Sequence, residues 1–507
     1  MNRARHLLQS SVIVIFLFGL GKITGLIRIR LVAAEFGTSP AFDAFTAANQ
    51  LPELFFTLIA GGALAAAFIP VYSGYLTGRG EQKAAQLANT VLTLVLLVLG
   101  SICLVAAIFA PWISSILLVP DFLPAQQQLT ADLMRTILIQ TTLFGISGVL
   151  SSILNAHQHF ALPALAPLAL DIGYMVGLFI FVPQMGVMGL AWGTVIGAVL
   201  HILIQLPALV KYKYRYRPAL AMQMKGVREI IRLMGPRIIT LGVIQLADLF
   251  IIRLTSGLAS GSTSGYFYGY SLMQFPETLF GTAVAIVVFP TLAEMFNAGD
   301  MEGLKRTAVN ALRIIWFLTI PTAALLVLLG QPVITVFLEG AAFDAASTRL
   351  VYSVLLVFSI RVVSEATVEI VARLFYARHN TKTPMLTYVG WLIINVGLAY
   401  LLVGSMGIVG LALASTIAFT FLAAVLYLLN RRALGGLGER ELAATAVRAI
   451  IATIVMSLLI VGLQQIISSN LIFLAVSAAV GSIAYLAVNY LLGGQEIPTL
   501  IRIMRKR

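Results

Sequence analysis

GLGKITGLIRIR, at residues 19–30, begins the stretch that decides the fold, which continues through EFGTSPAFDAF at 35–45 and NQLPELFF at 49–56. The first part is an apolar helix that nevertheless carries three cations. A cation near the centre of a membrane span costs at least ~2.5–3.5 kcal/mol, so it usually faces an interior cavity and is functional. Glycine and proline mark places where such a helix can bend toward a cavity. The stretch therefore predicts a polar lumen that meets an anion.

Lys22 is the most deeply placed of these cations. If the helix begins near Leu7, Lys22 lies ~22 Å along it and Arg28 ~31 Å, at 1.5 Å per residue. Arg28 and Arg30 can therefore reach the far interface of a ~30 Å hydrocarbon layer, so cavity and interface both stay open for them. Lys22 and Arg28 point about 120° apart. We expect Lys22 in the cavity, and we do not expect all three cations to face one narrow pore.

The composition is that of an all-α integral membrane protein. Hydrophobic residues make up 60% of the 507 and charged residues 10%, and apolar stretches of about 20 recur from end to end. The basic start resembles a signal peptide, but its apolar run continues into Lys22, so we interpret it as a retained first helix. The net charge of +13 does not indicate nucleic-acid binding, because the basic residues lie at helix ends.

Hydropathy predicts fourteen transmembrane helices. Their approximate ranges are 7–34, 42–75, 85–110, 130–155, 162–183, 187–211, 229–256, 264–296, 305–330, 346–377, 384–403, 407–430, 441–465 and 470–492.

The connections between these spans differ in charge. Those after odd-numbered spans contain no Lys or Arg, whereas the basic residues collect after even-numbered spans. The positive-inside rule therefore places both termini in the cytoplasm. The segment 211–237 holds eight basic residues and one acid, and we interpret it as a topology anchor that lies on anionic headgroups of the membrane lipids.

The two halves of the chain resemble each other. LNAHQHFALP at 154–163 aligns with FYARHNTKTP at 375–384, and MGVMGLAWGT at 185–194 aligns with MGIVGLALAS at 406–415, both at an offset of 221. An even number of helices in each unit means that both copies insert the same way up. The pattern predicts two pseudo-symmetric six-helix lobes that face each other across a central cleft, plus two C-terminal helices.

We place the predicted domains at these boundaries. The N-terminal lobe covers residues 1–217, and the C-terminal lobe covers 218–432, of which 218–228 is a basic cytoplasmic linker. Residues 433–507 hold the thirteenth and fourteenth helices and a basic cytoplasmic tail.

Two features within the spans bear on function. Prolines at equivalent places, Pro52 and Pro276, are each followed by a glutamate and predict broken helices at cavity walls or gates. The tenth span carries a row of four charged residues at every fourth position. Because opposite charges at this spacing face each other, a self-paired ladder is favoured over a ligand site. The row is Arg361, Glu365, Glu369 and Arg373.

Patterns typical of catalysis are missing from the sequence. The five histidines form no HExxH motif, no Walker loop occurs, and no serine lies in a nucleophile elbow. We therefore expect no enzyme activity, no metal site and no organic cofactor. Transport would draw on an ion gradient, the membrane potential or the substrate's own gradient.

Several motifs together resemble one known family. They are GLIRIRLVAAEFG with FDAF between residues 25 and 45, LP at 51–52 with AAAFIPVYS at 65–73, ASGSTSGYFYGYSLMQFP at 259–276, LFYARHNTKTPML at 374–386 and GIVGLALAS at 407–415. The chain resembles the MurJ (MviN) family of lipid II flippases, within the multidrug/oligosaccharidyl-lipid/polysaccharide exporter superfamily. The resemblance covers essentially the whole chain.

The resemblance implies a set of substrate-binding residues: Lys22, Gly25, Arg28, Asp43, Pro52 and Gln274. Lys22 and Arg28 would attract the pyrophosphate of lipid II, with Gly25 between them. Asp43 would start the second helix near an outer gate. The last two helices would guide the polyprenyl tail.

The chain also departs from the family pattern. Phe56 and Ser271 stand where the family usually carries arginines, and Gly61 replaces a usual acid. The resemblance implies Na⁺ as a coupling ion. Its ligands would be Asp248, Asn395 and Ser415, with Ala399 where a further ligand is expected.

The predicted function is translocation of lipid II, an undecaprenyl-pyrophosphate-linked peptidoglycan precursor, from the inner to the outer leaflet of the bacterial plasma (cytoplasmic) membrane by alternating access. The alternatives are export of another lipid-linked oligosaccharide or of an amphipathic drug, or a non-transporting scaffold for envelope synthesis. Peptidoglycan-synthesis enzymes would be partners in the last case.

Overall fold

The computed structural model describes residues 2–78, 80–494 and 496, with side chains from residue 17 onward except at 18, 63, 236 and 237. Helices form almost all of the regular structure in this part of the chain. In order they are α1 Asn2–Phe36, α2 Pro40–Ile59, α3 Gly62–Gly78, α4 Glu81–Ile108, α5 Pro124–Ala156, α6 Ala161–Met185, α7 Val187–Lys211, α8 Lys225–Ser256, α9 Ser262–Asn297, α10 Met301–Phe337, α11 Ala345–Ala377, α12 Lys382–Leu434, α13 Glu439–Ile466 and α14 Asn470–Leu491. The predicted basic tail, 497–507, lies outside the described residues.

Each of the fourteen predicted stretches is helical over most of its length. Among the described residues, eleven helical stretches are long and apolar enough to cross a membrane, with α2 and α3 counted together as one stretch. One of them, α12, is 53 residues long and contains non-helical Gly407, so it holds two of the predicted spans. The protein is therefore an all-α, multi-pass membrane protein.

The chain forms two compact units, which divide between Thr263 and Ser264. In the first unit α6 packs against α1 and α7, and α8 packs against α2 and α3. In the second unit α11 packs against α10 and α12, while α13 and α14 pack on each other and on α10. The lobe boundaries at 217 and 432 come from the sequence repeat and stay predictions.

The repeat predicted from the sequence also appears in the backbone. Gly186 between α6 and α7 has φ 57° and ψ −142°, and its partner at the offset of 221, Gly407 within α12, has φ 55° and ψ −134°. A positive φ of this kind is accessible to glycine and strained for other residues. A Cβ on either Gly189 or Gly410, three residues further on, would come within 2.5 Å of the preceding helix. Both halves of the chain therefore need glycine at these two equivalent positions, because the chain turns there and the helices that follow and precede the turn lie in close contact.

The turns before these segments match as well. Gln158 and His379, again 221 residues apart, both have a left-handed φ, at 60° and 57°. Each turn is closed by the same pair of backbone hydrogen bonds, at 3.0 and 2.9 Å. The two halves of the chain thus repeat at the level of individual turns.

The proline-containing helices require a correction. The helix α2 is not broken at Pro52, which lies buried within it, and the interruption comes at residues 60–61. In the second unit α9 also continues through Pro276 and then forms a π-helical turn at Thr278–Thr282. A proline removes only one backbone donor, and a membrane helix can satisfy the freed carbonyl locally. The irregular backbone therefore lies downstream of each proline.

Candidate functional site

The first cluster of the site joins α1 to α6. Arg28 on α1 places its Nε 3.3 Å from Oδ1 of Asp171 on α6, and the two side chains are 28% and 9% exposed. The guanidinium also lies 4.6 Å from the ring centroid of Tyr174, one turn further along α6. Arg28 therefore has a counter-ion and an aromatic face within its own unit.

The second oxygen of Asp171 is also satisfied. The Thr24 hydroxyl on α1 donates to Oδ2 of Asp171 at 2.6 Å. Both carboxylate oxygens thus bond to α1, as a carboxylate in an apolar span requires. The acid that pairs with Arg28 therefore comes from α6 rather than from α1.

Lys22 differs from Arg28. Its side chain is exposed, and no ion pair to it occurs among the described residues. Close by, a Cβ placed on Gly25 would meet no heavy atom within 4 Å. This part of α1 therefore borders open space, with a lysine ammonium that no carboxylate neutralises in the described part of the chain.

Asp43 forms a buried link within the first unit. It is 1% exposed, and its Oδ2 accepts a hydrogen bond from the backbone N–H of Gly261 at 2.6 Å. Gly261 has φ +89°, and a Cβ there would lie 2.7 Å from the Thr38 carbonyl oxygen. The carboxylate therefore ties the start of α2 to the loop that follows α8, and only glycine fits the loop at this point.

The second cluster lies in the second unit, on α11. Arg361 Nε lies 2.8 Å from Glu365 Oε2, and these side chains are 6% and 12% exposed. Arg373 pairs with Glu369 one turn further along. The predicted self-paired ladder is confirmed.

Arg361 is enclosed by further groups of the second unit. Its Nη1 donates to the Ser415 hydroxyl at 2.7 Å, and its guanidinium lies 4.0 Å from the Phe419 ring centroid and 5.0 Å from that of Tyr270. Gln274 donates to Tyr270 and, at 3.3 Å, to Glu365 Oε1. Gln274, predicted to bind substrate, therefore belongs to the polar network of this ladder.

Buried Glu277 follows Pro276 in the same unit. It is 3% exposed and accepts a hydrogen bond from the Thr282 hydroxyl at 3.3 Å. Thr282 lies in the π-helical turn of α9. No ion pair to Glu277 occurs among the residues that the structure describes.

The positions that depart from the family pattern have different surroundings. Phe56 packs on Phe144 of α5, with ring centroids 5.7 Å apart, and Phe144 in turn contacts His201. Ser271 is exposed on α9. At position 56 the usual charge is thus replaced by aromatic packing, whereas at position 271 nothing in the structure explains the change.

The residues predicted to bind sodium fall into both units. Asp248 lies on α8, and Asn395 and Ser415 lie on α12. Asn395 is 3% exposed, and its Oδ1 has no hydrogen-bond partner in the described structure. Ser415 accepts its bond from Arg361. The sodium site stays a prediction.

Comparison with known proteins agrees with this architecture. The model of the family described as "Lipid II flippase MurJ" matches residues 32–480. The chain belongs to the lipid II flippase MurJ family.

Relatives within the family are similar over most of the chain. A "Lipid II flippase MurJ" from Burkholderia cenocepacia is 28% identical over 423 residues, which cover 82% of this chain and 81% of the relative. A "Probable lipid II flippase MurJ" from Bdellovibrio bacteriovorus is 28% identical over 496 residues, covering 95% and 94%.

Solved structures show the same fold. "Lipid II flippase MurJ, inward closed conformation" matches with a TM-score of 0.82 at 22% identity and covers 96% of this chain and 98% of that one. An inward-facing multidrug resistance MATE transporter of the MOP superfamily matches with a TM-score of 0.70 at 15% identity, covering 84% and 99%. The fold is therefore that of MurJ and of the wider superfamily.

The match to the MurJ model begins at residue 32, after Lys22, Gly25 and Arg28. The importance of these positions therefore rests on the geometry of α1. Sequence reasoning did not connect Asp171, an acid within a predicted span, with Arg28. The available signal was that such an acid needs a partner and that α1 has a surplus of cations.

Proposed function

We propose that this chain translocates lipid II from the inner to the outer leaflet of the bacterial plasma membrane by alternating access. Membership of the lipid II flippase MurJ family and the similarity of fold support this function. Lipid II carries a pyrophosphate, so its headgroup needs cations that are free to meet it. The protein would make and break no covalent bond.

The observation that carries the proposal is that Lys22 is exposed and has no ion pair among the described residues. An ammonium inside an apolar helix is costly, and in the described structure no carboxylate offsets this one. A phosphate group would supply the missing negative charge. Lysine binds phosphate as a point charge rather than as a bidentate fork, which suits a ligand that must be released again.

The membrane topology belongs to the same proposal. Fourteen spans with both termini in the cytoplasm account for the charge pattern of the connections. The eleven apolar helices, the two helices that α12 contains and the long helices α1 and α11 support this number. Protease or thiol accessibility of tags at each terminus would test the orientation.

The coupling ion and the partners are further parts of the proposal. We propose Na⁺ as a coupling ion because an amide oxygen of Asn395 is buried without a hydrogen-bond partner in the described structure. Surrounding membrane lipids are the other contacts we expect, and peptidoglycan-synthesis enzymes are candidate partners. Transport by proteoliposomes with and without a sodium gradient would test the ion.

The function is tested by reconstituting the purified protein into liposomes that contain lipid II. The expected result is movement of lipid II between leaflets that depends on the protein. A protein that moves no lipid II but still moves another lipid-linked oligosaccharide would point to the alternative exporter. A protein that moves neither would contradict transport altogether.

A further inference from the structure

The inference starts from the way in which the Arg28–Asp171 pair is built. Its two members lie 143 positions apart on different helices, at 3.3 Å, and Arg28 keeps 28% of its side chain exposed. A fully enclosed pair would have no contact with a ligand. This pair is reachable from one side, whereas Asp171 itself is 9% exposed.

Asp171 is also held in place independently of Arg28. Its other oxygen accepts a hydrogen bond from the Thr24 hydroxyl at 2.6 Å, and the same hydroxyl oxygen also lies 3.1 Å from the Gly21 carbonyl oxygen. If Arg28 turned away, the carboxylate would keep this contact to α1. The carboxylate can therefore stay in position while the guanidinium exchanges between partners.

Arg28 and Lys22 thus differ in how freely each can bind an anionic ligand. A guanidinium binds carboxylate and phosphate with the same fork geometry, so the two anions compete for it. Lys22 has no such competitor among the described residues. Another acid, Glu53, lies on α2. Its carboxylate accepts a hydrogen bond from the Thr57 hydroxyl at 3.4 Å.

We propose that Asp171 is a displaceable counter-ion of Arg28: it competes with the phosphate of the substrate and so sets both the affinity for the anionic headgroup and its release. The proposal rests on the lipid-flipping function proposed above and adds to it a residue that tunes the affinity. Asp171 is a positioning residue, because it acts on the substrate through Arg28.

The effect on affinity follows from the fraction of molecules in which Arg28 is free. A binding-competent state that is only partly populated weakens the apparent affinity by that fraction. If the pair is closed in about nine molecules of ten, removing Asp171 tightens binding about tenfold. Tighter binding of this kind lowers KM without raising the maximal rate, and slower release would lower the rate.

The test compares Asp171→Asn with wild type in proteoliposomes containing lipid II. We expect KM to fall by about tenfold and the maximal rate to fall as well. Asp171→Glu, which keeps the charge, should return KM toward the wild-type value. Asp132→Asn is the matched control, because Asp132 pairs with Arg135 at 41% and 40% exposure on the surface of the same unit; its KM should not change.

Two results would overturn the proposal. A raised KM in Asp171→Asn would mean that Asp171 orients Arg28 for the substrate, and an unchanged KM would mean that the pair has no part in binding. If Asp171→Asn fails to fold, Asp171→Ser decides, since it removes the same charge with a smaller side chain. Its KM should fall, and an unchanged or raised value contradicts the proposal.

A second measurement separates this proposal from the flippase function. Undecaprenyl pyrophosphate, which carries the pyrophosphate without the saccharide, is titrated against the detergent-solubilised full chain and followed by native mass spectrometry. Asp171→Asn should bind it more tightly than wild type even if neither protein moves lipid II. Equal binding by the two proteins would overturn the role of Asp171, whereas loss of transport alone would affect only the flippase function.

Discussion

The cation cluster on α1 and the charged ladder on α11 are neutralised in different ways. On α11, Arg361 and Arg373 each pair with a glutamate four positions away on the same helix. In the first unit Arg28 of α1 depends on Asp171 of α6. A pair within one helix stays closed however the helix moves, whereas a pair between helices opens when either helix shifts. Of these two clusters, the one on α1 is therefore the one in which a small helix movement can release a cation.

The comparison teaches that a buried charge in a span need not have a role in transport. The α11 ladder satisfies its own charges, and Gln274, Ser415 and three aromatic rings complete it. It would offer no free charge to a ligand. By contrast, Lys22 has no ion pair in the described part of the chain, and Arg28 has Asp171 as a competitor for a ligand. This difference supports our proposal that the anion site lies on α1.

The largest effect is expected for the second unit. Glu365→Gln leaves Arg361, which is 5% exposed, without its counter-ion, and breaking a buried pair in this way costs about 3–5 kcal/mol. The free energy of unfolding of the detergent-solubilised protein measures this loss. The double variant Arg361→Met with Glu365→Leu should lie much closer to wild type, because both charges are gone. If Glu365→Gln were as stable as wild type, the result would show that Arg361 and Glu365 do not form a stabilising ion pair.

A smaller effect is expected at Asp43, whose partner, like that of Asp171, lies far along the chain. Asp43→Ala removes the acceptor for the Gly261 N–H, which is buried. A hydrogen bond to a charged group contributes about 1.5–3 kcal/mol, so stability should fall by that amount. Faster amide hydrogen exchange at Gly261 in Asp43→Ala than in wild type would show that the lost stability comes from this hydrogen bond. Asp43→Asn keeps an acceptor and should lose less.

The next effect concerns transport rather than stability. Lys22→Ala should lower the rate of lipid II movement at limiting substrate by about 10-fold, which corresponds to roughly 1.4 kcal/mol. The fold should be unaffected, because Lys22 is exposed and makes no ion pair in the described structure. Lys22→Arg keeps the charge and serves as the matched control. Equal loss in both variants would argue against a purely electrostatic role.

The smallest effect is expected for an exposed pair within one helix. Arg135 and Asp132 on α5 lie 2.7 Å apart but are 40% and 41% exposed, and such pairs contribute about 0–1 kcal/mol. Asp132→Ala should therefore change the free energy of unfolding by less than about 1 kcal/mol. A loss comparable with that of Glu365→Gln would show that burial is not what distinguishes the two pairs.

Much of the fold could be predicted because it follows from local features of the sequence. Span lengths follow from hydropathy, and the repeat at 221 residues placed Gly186 and Gly407 at equivalent turns. The i, i+4 spacing was sufficient to predict the two ion pairs on α11. The partner of Arg28 could not be predicted in this way, because it depends on how α6 rotates against α1. The continuation of α2 through Pro52 was missed because neighbouring packing, rather than the proline alone, decides where a membrane helix breaks.

The most direct test of the central claim is a cryo-electron microscopy structure of the protein with lipid II bound. Our account predicts a phosphate oxygen within hydrogen-bonding distance of Lys22 Nζ, about 2.7–3.2 Å, with the guanidinium of Arg28 turned from Asp171 toward the same phosphate. A pyrophosphate bound elsewhere, with Lys22 facing acyl chains and the Arg28–Asp171 pair closed, would contradict it.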